Sequence, residues 1–278
     1  MMKSQTFTWQ NADGLQIFAQ CWHAAITPLA TVSLVHGYGE HCGRYKHVAD
    51  KLTQAGFNVI SFDHQGHGQS SGWRGHITTY DALLDDISRL LIEAQQRFPQ
   101  TPQFLYGHSM GGNLVLNYAL RRRPQLAGVV VTSPWLRLAK FPSAMTIRLG
   151  RLVSRVWPSF TSSSGLDNSA LSRDPAVVQA YGSDPLNHNR ISPRLFTQIN
   201  SAGQWALDNA SQFSLPLLLM HGTADRITSH EASHQFAGGI SNSCCTLKLW
   251  DNFYHEIHNE PEQDEVITFV VEWLRAHS

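Results

Sequence analysis

The decamer Phe104-Leu-Tyr-Gly-His-Ser-Met-Gly-Gly-Asn113 sets one serine among three glycines, where a short apolar run meets a longer one. Each glycine forgoes side-chain burial and brings extra backbone entropy that folding must overcome. That cost is tolerated where the chain turns too sharply for Cβ atoms, or where something approaches the backbone closely. Strand, G-x-S-x-G, then helix meets both conditions: a tight turn lifts the Ser109 hydroxyl above the sheet. The first N–H groups of the following helix, and the positive end of its dipole, then face that hydroxyl.

Outward from this turn the chain alternates between strand and helix patterns. Apolar runs suited to buried parallel strands lie near 30–35, 57–62, 103–106, 127–132, 215–220 and 246–250. Tyr80, Leu83, Leu84, Ile87, Leu90, Leu91 and Ala94 keep helical spacing, and Pro99 closes that segment. Residues 44–55, 112–122 and 262–275 also read as helices. Segments 6–9 and 15–22 flank Asp13-Gly14, a hairpin signal that adds an antiparallel edge. The pattern predicts an α/β fold: a mostly parallel sheet of about eight strands, with helices on both faces. The rhythm fails between Pro134 and about Leu215, a stretch rich in proline with a polar tract at Ser159–Ser164. A structureless loop of that length is rare in a compact domain, so the stretch reads as an inserted helical cap. The expected division is a core of 1–135 and 211–278 with a cap of 136–210.

With 278 residues, the chain suits one large domain, or a core with an inserted subdomain. Lys plus Arg number 21 and Asp plus Glu 21, and this neutrality argues against nucleic acid as a main partner. Cys21, Cys42, Cys244 and Cys245 show no metal-ligand spacing and read as free thiols of a reducing compartment. No window is apolar enough to span a membrane and the N-terminus lacks a signal-peptide pattern, so the expectation is a cytoplasmic protein. His41, His47, His64, His67 and His76 fit no ligand pattern, and no metal is expected.

A serine hydroxyl becomes nucleophilic when a base takes its proton, and the base needs an orienting acid. In this architecture the chain order is Ser, then Asp or Glu, then His, each just after a strand. Asp225 follows the run LPLLLM, and His255 follows TLKLW, so all three stand at carboxyl ends of parallel strands, where ligands bind in open α/β sheets. Asp208 and Asp251 are rival acids, but the first falls in the cap and the second ends a strand. His258 is a rival base; His255 comes first after the strand. An oxyanion needs two donors already in place. The amide of Met110, next to the serine, supplies one, and Tyr38 in His36-Gly-Tyr-Gly39 supplies the other. A histidine base predicts activity rising with pH around the ordinary value of about 6.5.

The chain carries His36-Gly-Tyr-Gly-Glu-His-Cys-Gly-Arg-Tyr45, Asp63-His-Gln-Gly-His-Gly-Gln-Ser70, Gly107-His-Ser-Met-Gly-Gly112 and Tyr254-His255. Together they resemble the monoacylglycerol lipase and lysophospholipase family of the α/β-hydrolases, over nearly the whole chain. The resemblance implies an α/β-hydrolase fold, a triad of Ser109, Asp225 and His255, and hydrolysis of monoacylglycerols without a cofactor. It also implies that Glu40, Arg44, His108 and His258 shape the alcohol end of the pocket, with Tyr181 of the cap closing over it. Read without the family, Glu40 and Arg44 are a plain i,i+4 ion pair. A lysophospholipase or general carboxylesterase stays open as an alternative, as does a non-catalytic lipid-binding relative. Tyr38 and Cys42 depart from the animal members, where small residues and serine stand.

The cap segment 143–157 sets Met145, Leu149, Leu152, Val153 and Val156 on one face and Arg148, Arg151 and Arg155 beside it. Such a basic amphipathic helix can rest on an anionic membrane surface, or pack its apolar face over the site. The sequence leaves both open.

Overall fold

The computed structural model describes residues 3–140, 152–153, 156–157, 159–240 and 244–278. Eight strands form one sheet: β1 (Ser4–Gln10), β2 (Gln16–Trp22), β3 (Ala30–Val35), β4 (Phe57–Phe62), β5 (Gln103–His108), β6 (Gly128–Thr132), β9 (Leu217–Gly222) and β10 (Cys245–Trp250). Their spatial order is β1-β2-β4-β3-β5-β6-β9-β10. The hairpin β1–β2 joins β4 antiparallel, and every other pair is parallel. A further pair, β7 (Ser162–Ser163) with β8 (Arg190–Ile191), stands apart from the main sheet.

Strands β3, β4, β6 and β9 are buried at every residue, which is why they read as unbroken apolar runs rather than alternating ones. Each fully buried Val, Leu or Ile contributes about 1.5–3 kcal/mol relative to exposure. Helices α1 (Lys46–Gln54) and α7 (Gln263–Ala276) cover one face through Val48, Leu52, Val266 and Val270. Helices α2 (Tyr80–Arg97), α3 (Met110–Arg122) and α6 (His230–Gly239) cover the other. Between β6 and β9 stand α4 (Pro175–Ser183) and α5 (Pro193–Asp208), each opened by proline at its first turn.

Two features differ from the sequence reading. Helix α5 lies within the expected cap, yet its Leu195, Ile199, Ala206 and Leu207 belong to the core cluster shared with α2 and α3. Asn113 and Asn117 of α3 donate to the carbonyls of Ile199 and Ala202, fastening α5 to the core. Helix α6 was not anticipated, because it buries only Ala232, Ser233 and Phe236 and so carries a weak apolar stripe. Of the amphipathic segment 143–157 only residues 152–153 and 156–157 are described, and the basic residues Arg148, Arg151 and Arg155 lie outside the described residues.

The topology explains where a site can form. The chain leaves β3 to one side for β4, then returns to the other side of β3 for β5. Val35 at the end of β3 therefore pairs with Gly107 of β5. The loops after these strands open side by side, at the switch point where open α/β sheets hold their ligands.

Candidate active site

Ser109 sits between β5 and α3 with φ 53° and ψ −115°, a conformation unfavourable to a residue with a side chain. The glycines around it make this turn feasible. A Cβ on Gly107 would lie 2.4 Å from the Gly111 carbonyl oxygen, and one on Gly111 would lie 2.1 Å from that of Val35. The turn is fixed by Ser109 N–H donating to Thr132 O (3.0 Å), and by Asn113 and Trp135 N–H donating to Ser109 O.

His255 follows β10 and faces the serine across the sheet end. Its Nε2 stands 2.9 Å from Ser109 Oγ, and its Nδ1 stands 2.7 Å from Asp225 Oδ2. Ser109, Asp225 and His255 are all buried. Asp225 Oδ1 accepts from the N–H groups of Ile227 (2.7 Å) and Thr228 (3.0 Å). Its Oδ2 accepts from Thr228 Oγ1 (2.8 Å) and from His221 Nε2 (3.0 Å) besides His255. Ser233 Oγ lies 2.8 Å from the other nitrogen of His221, which fixes that ring. Burial pushes the Asp225 carboxyl up, but His255 and the hydrogen bonds outweigh it and hold the group well below the usual range. Burial pushes His255 down; the Asp225 charge and hydrogen bond overcome this, so the imidazole binds its proton more tightly than a free histidine.

The loop after β3 passes over Ser109: a Cβ on Gly37 would lie 3.2 Å from Ser109 Cβ. Gly37 N–H donates to Glu40 Oε1 at 2.7 Å, which directs the loop. Among the described residues no backbone acceptor takes the N–H of Tyr38 or that of Met110, the first residue of α3. A cavity of about 400 Å³ opens above this floor. Tyr38, Glu40, His108, Tyr181 and Glu256 line it near Ser109 and His255, and Leu138, Leu166, Leu171, Ile191, Phe196 and Ile227 supply apolar walls.

Arg44 and His258, expected at the alcohol end, do not line this cavity. Arg44 lies behind its wall. Its Nη1 and Nη2 each donate at 2.7 Å to Glu256, Nη1 also meets Glu40, and the guanidinium lies 4.7 Å over the Tyr181 ring. The ion pair is therefore a three-member buried network rather than a simple helical pair. Burial raises both glutamates. Arg44 overcomes this for Glu256, bringing it down to about 2, whereas Glu40, also repelled by Glu256, remains raised. His258 stacks on Tyr45 with ring centroids 5.0 Å apart, and burial pushes its imidazole down to about 3. His108 does reach the cavity; burial, then the neighbouring His258 and His255, hold it well below the ordinary value, while Thr132 Oγ1 lies 2.9 Å from its Nδ1. Tyr181 donates to Gly39 O at 3.1 Å. The rivals Asp208 and Asp251 are exposed and away from the row: Asp251 accepts from Thr223, and Asp208 from Gln204.

Sequence reasoning missed His221, Thr228 and Glu256. The first two had a signal: both lie within four residues of Asp225, His221 near the end of β9 and Thr228 in the loop after it.

A serine elbow at a sheet switch point, facing an imidazole and a carboxylate from two later strand ends, defines an α/β-hydrolase with a serine site. The family model described as "Serine aminopeptidase, S33" matches residues 26–262. A monoacylglycerol lipase of Mycolicibacterium smegmatis is 32% identical over 265 residues, covering 95% of this chain and 94% of that protein. An uncharacterized abhydrolase domain-containing protein of Dictyostelium discoideum is 38% identical over 276 residues, although the chain spans only 29% of its length. The crystal structure of Paleococcus ferrophilus monoacylglycerol lipase superposes with a TM-score of 0.85 at 35% identity, covering 100% of both chains. The chain belongs to the serine aminopeptidase S33 family of α/β-hydrolases, in the branch that holds the monoacylglycerol lipases.

Proposed function

We propose that this protein hydrolyses the ester bond of monoacylglycerols through an acyl-enzyme on Ser109. The observation that carries the reading is the hydrogen-bonded row Ser109–His255–Asp225 on the floor of a largely apolar cavity with a polar end. Ser109 Oγ attacks the ester carbonyl as His255 Nε2 takes its proton, and Asp225 stabilises the imidazolium and keeps Nδ1–H directed away from the serine. The N–H groups of Tyr38 and Met110 receive the oxyanion. His255 then returns the proton to the departing glycerol oxygen. Water enters, loses a proton to His255 as it attacks the acyl carbonyl, and His255 returns that proton to Ser109 Oγ as the fatty acid leaves. No step calls for a cofactor. Glu40, His108, Glu256 and Tyr181 face the glycerol, and the apolar walls take the acyl chain.

The roof of the cavity is the cap, and we assign it to residues 136–192, because α5 packs within the core. Among the described residues no helix is long and apolar enough to cross a membrane. Leu152, Val156, Trp157 and Phe160 are exposed on the cap, which supports its transient contact with a lipid surface.

The test is hydrolysis of a panel of monoolein, diolein and lysophosphatidylcholine by the wild type and Ser109→Ala. Monoolein is expected to be the best substrate, and the variant to lose activity with an unchanged circular dichroism spectrum. Full activity of the variant ends the mechanism, and preference for lysophosphatidylcholine ends the substrate assignment.

A further inference from the structure

The loop that carries His255 leaves β10 after Trp250 and makes one short helical turn, Ile257–Asn259, before α7. It has no sheet partner at the base itself. Its main chain bonds instead to the root of the cap: His255 N–H donates to Ala170 O (3.4 Å), and Glu256 N–H to Leu171 O (2.7 Å). Ser172 Oγ donates to Asn259 O at 2.8 Å. Beneath this ladder lies Glu260, fully buried. One of its oxygens accepts from Tyr254 N–H (2.6 Å), on the residue immediately before the base. The other accepts from the backbone N–H (3.2 Å) and Nε (2.9 Å) of Arg173. Arg173 also pairs with Glu262 and lies 4.7 Å over the Phe253 ring.

A buried carboxylate is costly unless its charge is paired and its lone pairs are filled. Here the pairing joins cap and base loop: Arg173 from the chain entering α4, Tyr254 from the chain entering His255. Asp225 fixes the ring at Nδ1, but a hydrogen bond at one ring atom does not fix the main chain that carries the ring. We infer that Arg173 and Glu260 are positioning residues for the base: they clamp the His255 loop to the cap root and so hold Nε2 within reach of Ser109. The inference rests on the reading of His255 as the base.

The experiment compares Arg173→Ala and Arg173→Lys with the wild type. It measures kcat and KM for monoolein, the rate of Ser109 labelling by a fluorophosphonate, and thermal unfolding. Labelling needs an activated serine but not the fit of a long acyl chain. In Arg173→Ala, kcat and the labelling rate are expected to fall together by about tenfold to a hundredfold, the scale of an ångström-level misplacement. KM should stay within about threefold, since the ground-state contacts are untouched. Arg173→Lys, which keeps the charge, should recover most of both rates. Folded Arg173→Ala that labels at the wild-type rate overturns the inference, as does a loss that only follows the unfolded fraction. If Arg173→Ala does not fold, Glu260→Gln keeps an acceptor for Tyr254 while removing the charge. Slower labelling of that variant upholds the clamp and unchanged labelling overturns it. A wild type that takes no probe would instead remove the Ser109–His255 reading itself.

Discussion

The floor and the roof of the cavity are built in different ways. On the floor, Asp225 receives five hydrogen bonds, Ser109 is held in a single strained conformation, and glycines admit backbone where no Cβ would fit. The described part of the roof is largely irregular chain around α4, the β7–β8 pair and further helical residues at 152–153 and 156, and it meets the cavity through scattered side chains. The lesson is a separation of tasks. Backbone geometry holds the residues at the sheet end, whereas the roof contributes mainly side-chain shape to the cavity.

The sharpest way to break this comparison is Asp225→Asn. Loss of the charge that orients and supports the imidazolium is expected to lower kcat by about 10⁴-fold, with KM little changed. A drop of less than tenfold would mean that His221 and Thr228 orient the base without it. Next comes Gly111→Ala, which drives a methyl group into the Val35 carbonyl. A stability loss of about 3 kcal/mol is expected in urea unfolding. Unchanged stability would show that the floor is less rigid than its contacts imply.

The pH profile tests the electrostatics of the floor. The base must be unprotonated to act. Asp225 raises the affinity of His255 for its proton, so kcat/KM should climb with pH through a midpoint above the ordinary histidine value of about 6.5. This corrects the expectation from sequence, which had only the unperturbed value to use. In Asp225→Asn only the weaker pull of Glu256 and Glu40 opposes the downward push of burial, so the residual activity should rise at lower pH; a midpoint that does not move refutes the assignment of cause. The smallest effect belongs to the roof. Leu166→Ala, in the roof at the cavity wall, should shift preference among monoacylglycerols of different chain length by about tenfold or less, the worth of a few methylenes. Unaltered preference would place chain-length selection elsewhere.

The same contrast governs what could be read from the sequence. Ser109, Asp225 and His255 each stand directly after an apolar run, so strand ends alone nominate them as neighbours. The amide of Tyr38, an expected oxyanion donor, follows equally from the glycine-rich loop after β3. Arg44 and His258 could not be placed this way. Their neighbours Glu256 and Tyr45 are 212 and 213 residues distant in chain, respectively, and those contacts turn both side chains away from the cavity. Helix α5 was read with the cap because its apolar stripe does not say which layer it meets; its bonds to Asn113 and Asn117 of α3 exist only in three dimensions. The clamp at Glu260 was equally invisible: a glutamate beside Pro261 near a helix start reads as an ordinary surface charge.

The ladder from Ala170 and Leu171 to His255 and Glu256 has a practical corollary for anyone exchanging lids between related hydrolases. Residues 169–173 and 253–260 form one unit across two distant stretches of chain, so a graft that swaps the first and keeps the second would bring a foreign strap to the native general base. Crossovers placed after Asp174 leave that unit whole, and chimeras cut there should retain turnover while acquiring the donor's selectivity.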